Sequence, residues 1–300
     1  MLRIGLDIGG TKTELVALDA LGRERLRRRA PTPHGGYEEA LDALVAMIGD
    51  AERELGGAAR VGIGVPGLVS PEGRVRNAFA TPFNERPLGT DLARRLAREV
   101  RVANDANCFA LSEAADGAAR GARLVFGAVL GTGAGAGIVH DGRVLTGANA
   151  SAGEWGHNPL PWMSAGEFPG PRCSCGRLGC IEQFVSGTAL AADHHRVTGR
   201  VLDAPAVAAG AQSGDADCEA TLRRFEDRLA RALAHVINLL DPEVIVLGGG
   251  VSRIGRLYSS VPRAWCAYAY ARDPVTRLVP AQHGDASGVF GAARLWGPEE

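Results

Sequence analysis

The sequence predicts an α/β fold of two similar halves with a ligand cleft between them. Three observations carry this expectation. Short apolar runs of strand length alternate with stretches of helical periodicity. A strand–glycine turn–strand unit at residues 3–19 recurs at residues 124–139. The chain has 300 residues, close to the length at which a single core gives way to two. The charge balance narrows the partner: 33 basic against 34 acidic residues, net charge −1, leave no electrostatic footprint for nucleic acid or an anionic membrane, which points to a small molecule. No run approaches the about twenty apolar residues needed to span a bilayer. Leu2-Arg3-Ile4-Gly5-Leu6-Asp7 has no signal-like character, so a cytoplasmic protein with reduced thiols is expected.

Arg3 to Ile8 reads as a buried strand and Glu14 to Asp19 as its partner, joined by Gly9-Gly10-Thr11-Lys12-Thr13. Outward N–H groups on a glycine turn, beside a hydroxyl and an ammonium, suit phosphate, although a plain hairpin uses the same turn. No G-x-x-x-x-G-K-[ST] occurs, so this is not a P-loop. Asp7, ending the strand, could hold a hydrated magnesium ion near the phosphates. Arg23 to Arg29 alternates as an exposed strand does, and Leu41, Leu44, Val45, Ile48 and Leu55 mark a helix over 37–55. Val61 to Val65 is a strand stopped by Pro66-Gly67; a helix over 91–99 and a strand over 101–103 follow. Asn104-Asp105 then sits where a strand stops and a helix starts. The carboxyl ends of strands are where α/β sheets bind ligands, and a carboxylate there can take a hydroxyl proton; capping the next helix would explain Asp105 as well.

Gly117 to Gly121 marks a hinge. Beyond it, Leu124 to Leu130 enters the glycine-rich turn Gly131-Thr132-Gly133-Ala134-Gly135-Ala136-Gly137 and leaves through Ile138-Val139. A strand follows where a dinucleotide fingerprint needs a helix, so NAD is not expected. Thr221 to Leu240 reads as a long helix ended by Asp241-Pro242, and Val244 to Leu247 as a strand opening into Gly248-Gly249-Gly250, where a flat group such as a base could approach. His194-His195 are adjacent, do not face one another on a helix, and are assigned to the surface. Cys108, Cys218 and Cys266 show no pairing pattern.

The densest chemistry lies between Glu154 and Glu182. His157, Cys173, Cys175 and Cys180 offer the one imidazole and three thiolates of a tetrahedral structural zinc site, with Gly176 and Gly179 letting the chain turn sharply. Three buried thiols would be the plainer reading. Zinc held by four protein ligands is closed and activates no water, so Glu154 and Glu182 become groups that a rigid loop presents to a polar ligand.

With these residues in place, the chain resembles the ROK family (repressors, open reading frames and kinases) over nearly its whole length. The likeness runs through Asp7 to Lys12, Gly64-Val65-Pro66-Gly67, Asn104-Asp105, Gly131 to Gly137, Glu154 to His157, Cys173 to Glu182 and Gly248 to Gly250. It implies the two-domain actin-like ATPase fold of sugar kinases, with duplicated ribonuclease H-like domains. The smaller would span 1–118 with a C-terminal helix of about 287–300, the larger 119–286. It implies ATP and Mg2+ held by Asp7, Gly9, Gly10, Thr11, Lys12, Gly131, Thr132, Gly133, Gly135, Gly248, Gly249 and Gly250. It implies a hexose held by Gly67, Asn104, Asp105, Glu154, His157 and Glu182, with Asp105 as the base for the 6-hydroxyl. His157 would serve zinc through one ring nitrogen and sugar through the other. The resemblance also implies a homodimer.

The run Ala152 to Trp162 looks most like bacterial fructokinases that also take mannose. The stretches Ala103 to Glu113 and His283 to Gly288 are shared in style with bacterial N-acetylglucosamine kinases, which tend to carry Phe where Trp155 stands. Fructose is therefore the expected acceptor and N-acetylglucosamine the alternative. Sugar-responsive repressors of the family carry a helix-turn-helix ahead of the first hairpin. With that hairpin starting at Asp7, a regulator here would lack a DNA-binding domain.

Overall fold

In this computed structural model, which describes residues 1–297, local pattern and tertiary pairing agree closely. Arg3–Ile8 (β1) is apolar on both faces because it is a central strand. Lys12–Leu18 (β2) runs antiparallel to it, with Arg3 opposite Leu18 and Ile8 opposite Thr13. Glu24–Pro31 (β3) forms the edge, and its arginines alternate outward. Tyr37–Leu55 (α1) buries Leu41, Leu44 and Ile48 and ends on the left-handed Gly56. Arg60–Val65 (β4) joins β1 in parallel, and Leu68–Val69 (β5) with Val75–Arg76 (β6) make a small hairpin. Leu88–Leu96 (α2) starts and stops three residues before the expected 91–99, because Ala97 turns left-handed and ends it. Val100–Asn104 (β7) completes a sheet of order β3-β2-β1-β4-β7, and Asp105–Ala115 (α3) follows.

The second sheet repeats the design. Leu124–Leu130 (β8) and Ala134–His140 (β9) pair antiparallel, with Arg143–Val144 (β10) outside them. Val244–Gly248 (β11) and Arg277–Pro280 (β12) add in parallel, for an order β10-β9-β8-β11-β12. Between β10 and β11 come Glu182–Val185 (α4), Gly187–Thr198 (α5), Ala204–Gln212 (α6) and Ala216–Leu240 (α7). Helix α7 begins five residues earlier than the apolar pattern indicates, because Asp215 Oδ1 accepts the N–H groups of Asp217 and Cys218. Leu257–Trp265 (α8) and Ser287–Ala293 (α9) complete the helices described. The chain leaves α9 well short of 300, where Trp296 Nε1 donates to Val61 O at 2.8 Å; 298–300 lie outside the described residues. Among the described residues, no helix is long and apolar enough to cross a membrane.

The halves are tied by an exchange of helices. Helix α3 leaves the first sheet and lies on β8 and β9, while α9 leaves the second and lies on β1, β2 and β4; the two also lie on each other. Glycines make the approach possible. A Cβ on Gly62 would stand 1.9 Å from Ala292 O, one on Gly137 2.5 Å from Ala106 O, and one on Gly291 1.7 Å from Cys108 O. The stretch Gly131 to Gly137 is thus a turn only at Gly131, Thr132 and Gly133; the rest is strand, and Gly137 is needed for close contact with α3. Where the chain crosses between sheets, the fully buried Glu113 carboxylate accepts from the N–H groups of Ala118, Gln282 and His283 and from Ser287 Oγ.

One expectation fails outright. His194 is wholly buried, its Nδ1 3.1 Å from Thr221 Oγ1 of α7, while His195 is exposed as expected. Adjacent helical residues differ in azimuth by about 100°, so one member of the pair can face the core while the other faces water.

Gly291→Ala should lower unfolding free energy by about 2 kcal/mol or more, since backbone stands in the way of the new methyl. Gly57→Ala, with nothing within 4 Å, should stay within about 0.5 kcal/mol in the same urea titration.

Candidate active site

The N-terminus of α3 forms the floor of a cleft of about 1610 Å³ between the sheets. Asn104 caps the helix, its Oδ1 accepting Asn107 N at 3.0 Å. Its Nδ2 donates to Gly67 O (2.6 Å) and to Asp105 Oδ1 (3.0 Å), so both amide hydrogens hold neighbours in place. Asp105 Oδ1 also accepts Ala106 N at 2.8 Å, which leaves Oδ2 without a hydrogen bond among the described residues. The capping reading of Asp105 therefore passes to Asn104. Burial raises Asp105 to about 6, with the Glu154 carboxylate adding to the rise and the Ala106 N–H opposing it. Burial, then the charges of Asp105 and Glu14, raise Asp7 to about 7.

Asp7, Gly9, Lys12 and Gly67 line the cleft from the first sheet, and Gly131, Thr132, Gly133, Gly135 and Gly249 from the second. Gly67 takes φ 78°, and a Cβ there would lie 2.0 Å from Arg76 O, so only glycine fits this turn at the mouth of β4. Three glycine-turn candidates lie elsewhere. Gly10 abuts Ala80, Thr11 is exposed with its carbonyl accepting Thr32 N, and Gly248 lies under the Phe109 ring, where a Cβ would come within 2.4 Å. The flat group against Gly248 is thus a side chain of α3. Gly250 borders a second hollow of about 980 Å³ that shares Gly131 and Thr132 with the cleft. Its walls are Thr188, Pro205, Ala208, Gln212 and residues 253–256. The sequence offered no motif for these: α6 reads as a small-residue helix, and Thr188 reaches the turn through its hydroxyl, which donates to Thr132 O at 2.5 Å, beside Gly187 N on Gly131 O at 2.8 Å.

The segment Glu154 to Glu182 closes the other side. Glu154, His157 and Glu182 all line the cleft. Glu182 Oε2 accepts Ala134 N at 3.0 Å and would touch a Cβ on Gly133 at 2.4 Å, so the second glycine turn and Glu182 fit one another. Burial raises Glu154, with Glu182 adding to the rise and His157 opposing it. Trp155 is 6 % exposed, its ring edge-on to Phe126 at 5.4 Å, and both residues border the cleft. The ligand atoms of His157, Cys173, Cys175 and Cys180 lie within 4.8 Å of one another. Cys173 Sγ is 3.5 Å from His157 Nδ1 and Cys175 Sγ 3.6 Å from Cys180 Sγ, close to the about 3.3–3.8 Å edges of a tetrahedron around zinc. No disulfide links them, and burial with the neighbouring thiols pushes Cys180 up to about 12, a crowding that a cation would relieve. The donors fit zinc, which His157 would meet through Nδ1, the ring nitrogen nearest Cys173 Sγ.

Two sheets of one order exchanging helices over a cleft that bears two glycine turns define the actin-like ATPase fold of the sugar kinases. The chain belongs to the ROK family, whose family model matches residues 3–299. It is 38% identical over 296 residues to N-acetyl-D-glucosamine kinase of Salmonella gallinarum, covering 97% of this chain and 98% of that protein. Among solved structures, a ROK hexokinase from Thermus thermophilus superimposes with a TM-score of 0.87 at 33% identity, covering 98% of this chain and 97% of the other. A ROK family glucokinase from Streptomyces griseus, solved with glucose and AMPPNP, gives 0.78 at 30% identity, covering 98% and 99%.

The donor set leads us to expect one zinc per chain in protein grown with zinc, read by elemental analysis. Cys175→Ser should lose most of it and Cys266→Ser, at an exposed cysteine outside the cluster, none.

Proposed function

We propose that this chain is an ATP-dependent hexose kinase, with Asp105 as the base that takes the 6-hydroxyl proton as that oxygen attacks the γ-phosphate. The observation that carries the reading is Asp105 Oδ2 at the cleft floor, without a hydrogen bond among the described residues, with glycine turns from both sheets beside it. A base near 6 is ionised at neutral pH yet still basic enough to accept the proton. Asn104 keeps the carboxylate aimed through its bond to Oδ1, and so acts as a positioning group. Glu154, His157 Nε2 and Glu182 would accept and donate to the ring hydroxyls, held by the metal cluster at their back.

The hollow beside Gly131 and Thr132 suits the nucleoside, with the phosphates running past the turn into the cleft toward Lys12 and Asp7. Asp7 would hold hydrated Mg2+, which would offset the charge on the transferred group. The remaining task is to position acceptor and donor and to exclude water. We assign residues 1–118 with α9 to one closing lobe and 119–286 to the other.

For the acceptor, N-acetyl-D-glucosamine has the support of the Salmonella relative, which matches nearly end to end. D-fructose, with mannose, is a second reading favoured by the run Ala152 to Trp162. The Trp155 ring packs on Phe126 and both residues border the cleft, which puts it beside the acceptor that this reading places there.

Asp105→Asn should reduce kcat by about 10² to 10⁴ with fold and metal content retained; a variant within tenfold of wild type removes Asp105 as base. Because burial raises the folded-state value and the carboxylate is the active form, kcat/KM at saturating Mg2+ should fall as pH drops through about 6 and level off above it. A panel of N-acetylglucosamine, fructose, mannose and glucose with ATP decides the acceptor by the ratio of kcat/KM values.

A further inference from the structure

Residues 158–172 join His157 to Cys173 without contributing a metal ligand, yet they lie directly on the cysteine turn. A Cβ on Gly179 would meet Met163 Cε at 2.5 Å and Pro169 O at 2.7 Å; one on Gly170 would meet Gly179 Cα at 2.5 Å and the Phe184 ring at 3.1 Å. Through these contacts a shift of the loop bears on Gly179 and on Phe184 of α4, the helix that begins with Glu182. The loop is anchored through Glu167. Its Oε1 accepts Arg228 Nε and Arg231 Nη2, both at 2.8 Å, and its Oε2 accepts Arg231 Nη1 and Ser164 N, both at 2.9 Å. Arg231 Nη1 also donates to Trp162 O at 2.9 Å, and the Arg228 guanidinium lies over the Phe184 ring at 5.3 Å.

These are not surface pairs. The side chains of Arg228, Arg231 and Glu167 are 6, 4 and 10 % exposed, a setting in which geometry is held far more firmly than in an exposed ion pair. Each arginine has a second carboxylate: Asp193 at 3.0 Å for Arg228 and Asp227 at 2.9 Å for Arg231. Neutralising Glu167 leaves Asp227 on Arg231 and, for Arg228, Asp193, which also pairs with Arg196 and Arg224. α7 can stay in place while the loop loses its anchor.

We propose that Glu167, held by Arg228 and Arg231 of α7, is a positioning residue for the acceptor-sugar subsite, fixing His157 and Glu182 independently of the metal. The inference rests on the reading that those two residues meet the acceptor's hydroxyls. It makes the subsite a mount with two supports: the metal cluster from within and the α7 arginines from outside. The nucleotide hollow involves neither.

The test compares wild type with Glu167→Gln and Glu167→Asp. KM is measured for ATP and for the preferred sugar of the four-sugar panel, that sugar's Kd by calorimetry, and zinc per chain by elemental analysis. The expected result for Glu167→Gln is a rise of at least about tenfold in both sugar KM and sugar Kd, with KM for ATP and zinc content unchanged and partial rescue in Glu167→Asp. Unchanged sugar affinity in folded Glu167→Gln overturns the proposal, as does zinc loss accompanying the weaker sugar binding. Equal weakening toward sugar and ATP overturns it too, since general destabilisation would produce that. If Glu167→Gln fails to fold, Arg231→Lys, which keeps the charge but loses the fork, must show the same sugar-only rise, and its absence there refutes the idea. A wild-type chain that neither turns over nor binds any hexose fails earlier and separately, taking the proposed function down and this inference with it.

Discussion

The crossing of α3 and α9 is the constraint on which the rest of the structure depends. Each helix follows the last strand of one sheet and lies on the other, and they meet where Gly291 lies against the Cys108 carbonyl. Backbone separations this short leave no room for side chains, so the sheets expose glycine at Gly5, Gly62, Gly127 and Gly137 to receive them. The loss of apolar burial at each glycine is offset by contact between whole elements. Glu113 stabilises the arrangement at the far end of α3, where one carboxylate satisfies donors from both crossings of the chain. A buried carboxylate with four donors and, among the described residues, no counter-cation is costly unless every donor is in place, which makes the junction specific in geometry.

The same helix sets the chemistry at its other end. Asn104 and Asp105 occupy the first turn of α3, where free N–H groups favour negative charge, yet burial and nearby carboxylates push the other way. The balance leaves Asp105 at about 6. Asp7, close against Gly288 of α9, is raised to about 7 by burial first, with the Asp105 and Glu14 charges adding to the rise and Lys12 offsetting part of it. A cleft that gathers Asp7, Asp105, Glu154 and Glu182 is electrostatically unsettled by itself. It suits a ligand set that brings both hydroxyl donors and a divalent cation.

The loop from Glu154 to Glu182 solves a different problem, since it must be rigid without belonging to a sheet. It carries almost no regular structure, only a single 3-10 turn at Trp155–His157 before α4. Its order comes from donor atoms converging on one point, from Trp155 set into the core against Phe126, and from arginines of α7 reaching its carbonyls and Glu167. Such a loop holds Glu154, His157 and Glu182 at the cleft without a sheet beneath them.

The sequence by itself determined the presence of every strand of the two main hairpins, the extent of α1, the cluster of His157, Cys173, Cys175 and Cys180, the Asn104-Asp105 junction and the family. Each of these is written in near neighbours: apolar alternation, turn glycines, or ligands closely spaced along the chain. Only the tertiary structure decided which glycines face the cleft and which receive a helix. Gly133 meets Glu182 while Gly137 and Gly248 meet α3, and nothing local separates them, because what a missing Cβ makes room for lies elsewhere in the chain. It also decided that His194 is buried, that α6 and residues 253–256 wall a second hollow, and that Glu167 faces Arg228 and Arg231. Those contacts join residues more than twenty positions apart whose types are common at any surface, so their partners exist only once the two sheets, the exchanged helices and α7 are in place.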